Sequence, residues 1–286
     1  MFFIAFDIFS SHLQLFSPPQ PMPESRTISP AVLPPLPWLT PGEAFPPPQQ
    51  AWGLDDPAPG LLAAGDTLDA ATLLRAYSAG IFPWFSEGQP VLWWSPNPRM
   101  VLQTAQFRLH RSLRKRIAHF RSDPSCEIRI DSAFERVMAA CARQPRPGQS
   151  GTWIVQDMER AYGDLHRAGQ AHSVETWIDG ELAGGLYCVN LGTMVFGESM
   201  FSHRTDASKI ALSALVAFCR AHGIAMIDCQ QNTGHLASLG ASEISRTAFA
   251  RHLAGQMNAH SPAWQFDSLY WEQILTAKVP ASPATL

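Results

Sequence analysis

Apolar positions along the 286-residue chain recur with two different periods. Spacings of three and four residues predict helices; alternation, or a short unbroken apolar run, predicts strands. The first clear helix is predicted in DAATLLRAYSAG, with Asp69 as N-cap and Gly80 just past its end. A second is predicted over Leu109 to Phe120. EIRI reads as a strand, and DSAFERVMAACAR as a helix in which Phe134, Val137, Met138 and Cys141 form one buried stripe. QDMERAYGDLHRAG adds a helix closed by Gly169.

The pattern then changes period. HSVETWIDGELAGGLYCVNLGTMVFGESMF reads as a meander of strands, with a type I′ hairpin at Asp179-Gly180 and a second turn near Asn190-Leu191-Gly192. Asp206 is placed to cap a long apolar helix, DASKIALSALVAFCRAHG, that ends at Gly223. IAMIDC follows as a short strand expected to be buried on both faces. Helices, antiparallel strands and then a helix feeding a strand imply an α+β fold around one central sheet. There is no internal repeat.

Proline changes the picture at the N-terminus. Fourteen of the 24 prolines lie in the first 60 residues, so SPPQPMP and FPPPQQ read as extended chain. With 46% hydrophobic residues the chain can bury a substantial core, as one large domain or two modest ones. Five cysteines without CxxC pairs point to a reducing compartment rather than a disulfide framework. No window approaches the roughly 18 apolar residues of a membrane span. MFFIAFDIF holds Asp7 and no Lys or Arg precedes Arg26, so it lacks the basic start of a secretory signal. The expected location is the cytoplasm.

The net charge of -3 gives no global attraction to nucleic acid, so any basic surface has to be local. RLHRSLRKRIAHFR supplies one, because no Asp or Glu occurs from Gly88 to Ser122. On a helix Arg111, Arg114 and Lys115 share a face and repel unless an anion neutralises them; a phosphate backbone is the obvious anion. The bland alternative is a solvated helix face.

IDCQ places Asp228 and Gln230 at the carboxyl end of a buried strand, on one side by alternation, with Cys229 opposite. A buried carboxylate needs a partner. GESMF places Glu198 at the end of another strand beside Phe196, Met200 and Phe201. Glu175 is ambiguous, sharing a face with Trp177. Cys229 with His235 is a weak nucleophile candidate, because a lone buried Cys usually behaves as a small hydrophobe. Cys219, His222, Cys229 and His235 lack any standard zinc spacing. IFPWFSEGQPVLWWSP concentrates Trp84, Trp93 and Trp94, and Trp153 follows in GTWI. Tryptophans either fill a core or stack on a base. With the basic helix and the strand-end Asp and Gln, they suit a protein that stacks a nucleobase, holds phosphates and performs acyl chemistry.

GIFPWFS, LWWSPNPR, HRSLRK, GTWI, AHSVE, GGLY, FGESMFS, ASK, IDCQ, HLASLGA and the closing SR with Phe249 come in one order. By these motifs the chain resembles the leucyl/phenylalanyl-tRNA–protein transferases over roughly residues 45 to 255. The resemblance implies transfer of leucine, less well phenylalanine or methionine, from aminoacyl-tRNA to the N-terminal amine of proteins beginning with Arg or Lys. That marks them for N-degron proteolysis, with no cofactor, metal or membrane. It implies a small N-terminal α/β domain (41–98) and a larger acetyltransferase-like (GNAT-like) domain with a mixed central sheet (99–260). Residues 1–40 then read as a Pro-rich extension and 261–286 as a tail.

Residue by residue, the resemblance gives Trp84 and Trp153 to the 3′-terminal adenosine and Glu198 to the edge of the aminoacyl pocket. Met200 and Ile227 match its apolar lining, Asp228 and Gln230 the catalytic pair, and Arg111, Arg114 and Lys115 the tRNA-contacting region. Asp228 is expected to polarise Gln230, and Trp93 and Trp94 to pack between the domains. Asn97, His203 and Asp206 depart from the family pattern, and Leu215 and Cys219 stand where larger aromatics can occur. Two other readings are a CoA-dependent N-acetyltransferase and a non-catalytic tRNA-binding module. The first is disfavoured because FSHRTDASK has no glycine to cradle a pyrophosphate.

Overall fold

The computed structural model describes residues 34–144 and 156–276. In chain order the strands are β1 (Trp38–Leu39), β2 (Leu61–Gly65), β3 (Phe82–Pro83), β4 (Val91–Trp94), β5 (Arg99–Gln103), β6 (Cys126–Ile130), β7 (Ala171–Ile178), β8 (Glu181–Leu191), β9 (Met194–Ser202), β10 (Met226–Gln230) and β11 (Ser242–Ile244). The α-helices are α1 (Ala70–Ser78), α2 (Arg111–Ser122), α3 (Phe134–Arg143), α4 (Gln156–Arg167), α5 (Ala207–Ala221), α6 (Gly234–Ser238), α7 (Arg246–Gln256) and α8 (Glu272–Leu275). The fold is α+β with two mixed sheets. A four-stranded sheet has the order β1-β2-β4-β3, and a seven-stranded sheet the order β11-β5-β10-β9-β8-β7-β6. In the larger sheet only β9 and β10 run parallel; every other neighbouring pair is antiparallel. A parallel pair needs a crossover, and α5 supplies it between β9 and β10.

Local chemistry explains most boundaries. Asp69 caps α1 by accepting from the Thr72 amide at 2.7 Å. Gly80 follows with φ +74, and a Cβ there would lie 3.1 Å from the Phe249 ring. Asp179 and Gly180 both have positive φ, as a type I′ turn requires. Two expectations are corrected. The helix predicted from Leu109 starts at Arg111, because the Arg108 amide donates to Leu239 O and the His110 ring bonds Ser238 O, which keeps that stretch extended. Asp206 stands at the N-cap of α5 but adopts φ +65 and makes no capping bond; its carboxylate instead accepts from Lys209 at 2.8 Å.

Each face of the larger sheet carries its own core. On one side α5, with eleven of its fifteen residues buried, packs with α2 and the C-terminal turns around Leu113, Ile117, Leu215, Phe218 and Trp271. A helix apolar on all sides belongs in such a place. The other core runs from the small sheet and α1 through α3, α4 and α7, and joins Trp93, Tyr77, Phe134, Tyr162, Phe196 and Phe249. β10 lies between these cores, and all five of its residues are buried.

Candidate active site

Asp228, in the middle of β10, has 0% exposure and is satisfied by Arg99 of β5, itself 1% exposed. Arg99 Nη2 donates to Oδ2 at 2.6 Å and Nε to Oδ1 at 2.8 Å, a bidentate pair. Its Nη1 donates to Gly80 O at 3.2 Å, and the guanidinium lies between the Phe82 and Phe249 rings, 4.7 and 4.6 Å from their centroids. Partners on every side meet the desolvation cost of burying both charges.

Asp228 also shapes the main chain after it. Its Oδ1 accepts from the Gln230 amide at 2.9 Å, and Gln230 has φ +64, uncommon for a residue with a side chain. The register against β5 slips here, leaving Cys229 as the extra residue of a bulge. The expected polarisation of the Gln230 side chain by Asp228 is therefore corrected. Asp228 holds the Gln230 main chain, while the Gln230 side-chain Nε2 donates to Glu198 Oε1 at 2.9 Å.

Glu198 also sits at a bulge. Tyr187 pairs with Ser199 and Cys188 with Gly197, so Glu198 is the unpaired residue of β9. It lies within the strand rather than at its end, because Phe201 and Ser202 continue pairing with Gly185 and Gly184. Bulges re-aim side chains, and these two turn Glu198 and Gln230 toward each other. Tyr162 Oη donates to Glu198 Oε2 at 3.2 Å, and Tyr77 Oη lies 2.5 Å from Tyr162 Oη. Burial pushes the Glu198 carboxyl up from 4.5 to about 7. The Asp228 charge also raises it, while hydrogen bonds from Tyr77, Gln230 and Tyr162 restrain the shift. Burial, reinforced by the Glu198 charge, raises both tyrosines well above their ordinary value, so they remain protonated.

The other candidate residues divide around this network. Ile227 and Cys229 belong to the α5-side core with Leu215 and Cys219, and the half-buried Met200 packs against it. Burial, then the Asp228 charge, drives the Cys229 thiol upward, away from nucleophilic character. Trp84 is half-buried, its ring 5.3 Å from Trp94. Trp93 and Trp94 are buried in β4, in the core that continues to Phe196 and Phe249. Trp153 lies outside the described residues. Arg111 and Lys115 are exposed on α2, whereas Arg114 Nη1 donates to Leu275 O. Glu175 is structural: it accepts from Ala133 N, Ser173 Oγ and Trp177 Nε1, each at 2.8 Å, and so fixes the start of α3.

A family model described as leucyl/phenylalanyl-tRNA protein transferase matches residues 101–254, and one for that family's N-terminal domain matches residues 66–97. A protein from Polaromonas sp. (strain JS666) named leucyl/phenylalanyl-tRNA–protein transferase is 70% identical over 87% of this chain and 98% of its own length. The chain belongs to the leucyl/phenylalanyl-tRNA protein transferase family. Relatives of the same name from Albidiferax ferrireducens and Leptothrix cholodnii are 68% and 58% identical, over 85% and 84% of this chain and 96% and 95% of their own lengths. A solved structure titled "Crystal structure of FemX" superposes with a TM-score of 0.40 at 10% identity, over 64% of this chain and 69% of that one, too slight a likeness to bear on the fold.

In this member of the leucyl/phenylalanyl-tRNA protein transferase family, three residues of the network escape a reading by motif. Arg99 closes the run LWWSPNPR, and its only sequence signal is a cation opening the apolar stretch MVL. Tyr77 and Tyr162 lie on α1 and α4 among apolar neighbours and look like ordinary core residues. Asn97 secures the start of α7, where its Oδ1 accepts from the Arg246 amide at 3.0 Å.

Proposed function

We propose that the chain moves leucine, and less well phenylalanine or methionine, from aminoacyl-tRNA to the α-amine of proteins beginning with Arg or Lys, marking them for N-degron proteolysis in the cytoplasm. The supporting observation is the half-buried Glu198 carboxylate, held by Gln230 and Tyr162 at two facing bulges beside the Asp228–Arg99 pair. An acyl transfer to an amine needs a polar group of this kind at a largely dry site. The donor ester is already activated, so the reaction runs without ATP. The acceptor is the harder partner: an α-amine with a pKa of about 7.7–8.0 is mostly protonated at pH 7.

In this reading Trp84 and Trp153 hold the terminal adenosine, and Met200 and Ile227 line the side-chain pocket. Such a pocket separates hydrocarbons by only about 1–3 kcal/mol per methylene, consistent with some transfer of Phe and Met. Asp228 and Gln230 act by positioning and hydrogen bonding. Arg111 and Lys115, with Arg114 beside them, meet the tRNA backbone. Residues 41–98 form the small domain and 99–260 an acetyltransferase-like (GNAT-like) catalytic domain. A CoA donor is disfavoured because FSHRTDASK, which leads into α5, has no glycine to cradle a pyrophosphate.

The acceptor rule is tested by offering labelled leucyl-tRNA with matched proteins that begin with Arg, Lys, Ala or an acetylated residue. Label on Arg and Lys termini alone is expected. Equal labelling of the Ala terminus would overturn that rule.

A further inference from the structure

We infer that Glu198, rather than Asp228, takes the proton from the acceptor amine, with Tyr162 and Tyr77 as the hydrogen-bond chain that holds it; this rests on the transfer reaction proposed above. Access decides between the two carboxylates. Asp228 is fully buried, and both of its oxygens are committed to Arg99 and the Gln230 main chain. Reaching an amine would mean breaking that pair. Glu198 is partly exposed. Gln230 donates to its Oε1 and Tyr162 to its Oε2, and Tyr77 also bonds the carboxylate. Two carboxylate oxygens offer about four acceptor sites, so one remains for an incoming ammonium.

The direction of the hydrogen bonds fits this role. Tyr162 donates to Glu198, so its own oxygen is left to accept from Tyr77, 2.5 Å away. Every donor in the chain therefore points toward Glu198, the one acceptor-only group. Tyr77 comes from α1 beside the small sheet and Tyr162 from α4, so two separate elements fix the carboxylate. Among the described residues, the remaining titratable groups around it are Tyr187 and Cys188 of β8, and Asp228 of β10, whose charge Arg99 offsets. Both phenols stay protonated, which leaves Glu198 as the proton acceptor of the network.

In the transfer step the acceptor arrives as an ammonium, and Glu198 takes one proton, freeing the nitrogen lone pair. The nitrogen attacks the ester carbonyl carbon, the C–N bond forms and the C–O bond to the ribose breaks. A second N–H proton ends on the ribose oxygen, and the proton on Glu198 leaves to solvent. One proton is released per peptide bond.

The test is the pH dependence of kcat for leucine transfer from leucyl-tRNA to an Arg-starting peptide at saturating acceptor. Wild type, Glu198→Gln, Tyr162→Phe and Tyr77→Phe are compared as full-length proteins, each checked for folding. The acceptor is common to all, so a midpoint that moves between variants belongs to the enzyme. The wild type is expected to lose activity on the acid side with a midpoint near 7. Tyr162→Phe removes a hydrogen bond that favours the carboxylate, so its midpoint is expected to move to higher pH. Tyr77→Phe is expected to move it the same way and stands in if Tyr162→Phe does not fold. Glu198→Gln is expected to slow transfer about 100-fold or more while leucyl-tRNA affinity stays within about twofold. Phenylalanine variants whose midpoints superimpose on the wild type, or a Glu198→Gln variant with undiminished kcat, would overturn the proposal. A folded wild type with no transfer at all would instead overturn the transfer reading, and this proposal with it.

Discussion

Asp228 and Arg99 stand 129 positions apart in the chain and form a pair closed off from water. Removing one partner strands the other charge, so Asp228→Ala is expected to cost about 3–5 kcal/mol in urea denaturation. Replacing both, as Arg99→Met with Asp228→Leu, should recover most of that stability. It should not recover transfer, because the bond from Asp228 to the Gln230 amide is still missing. Recovery of both together would make the pair irrelevant to the site. Glu198 predicts a pH effect with a definite sign. Its carboxyl is raised from 4.5 to about 7 in the folded protein, so the fold binds the proton more tightly than the unfolded chain does. The stability this gives is complete below about 4.5 and is lost as pH rises through about 7. Wild type measured against Glu198→Gln should therefore lose relative stability between those values, and parallel urea midpoints across the range would contradict the shift. Asp228, Gln230 and Glu198 were legible because carboxylates and amides flanked by buried residues demand an explanation. Arg99 was not, because the partner of a buried charge is set by tertiary pairing, and a cation opening MVL does not say which carboxylate it meets.

Elements carry the next layer, and the two bulges matter most. Gln230 holds φ +64 at a bulge, so Gln230→Gly relieves the backbone while it removes the side chain and its amide. Its melting temperature should be equal to or above that of the wild type, while transfer falls; loss of stability with rate kept would show that the side chain serves only the fold. On α2 the three basic residues separate by environment. Arg111→Ala with Lys115→Ala should reduce the slope of log affinity against log salt for tRNA by about 1.4–1.8, since each phosphate contact contributes about 0.7–0.9. Arg114 is bonded to Leu275 O, so Arg114→Ala should lower stability more than it changes that slope. An unchanged slope in the double variant would move the tRNA contact elsewhere. Helices and hairpins were readable here because caps, glycines and periodicity are local signals: Asp69 with Gly80, the Phe134 stripe, and Asp179-Gly180. Bulges were not readable, since a one-residue slip depends on the neighbouring strand. Alternation alone placed Asp228 and Gln230 together and missed the turn toward Glu198.

At the scale of the whole molecule, the seven-stranded sheet separates two cores, and β10 threads between them. The α5-side core holds Ile227 with Met200 packed against it, while Asp228 and Glu198 engage Arg99, Tyr77 and Tyr162 on the side shared with the small sheet. A transferase can use such a division, with an apolar recess for the amino-acid side chain and a polar seam for the reacting groups. The α+β class followed from the order of periodicities, but the strand order did not, because β5 comes from a distant part of the chain and inserts between β10 and β11. The most direct measurement offers leucyl-tRNA or acetyl-CoA, without ATP, to the full-length protein and one Arg-starting acceptor, and follows what becomes attached to the N-terminus. Leucine attached from leucyl-tRNA, with nothing from acetyl-CoA, is the expected result. An acetylated terminus, or tRNA bound by the folded protein without any transfer, would contradict it.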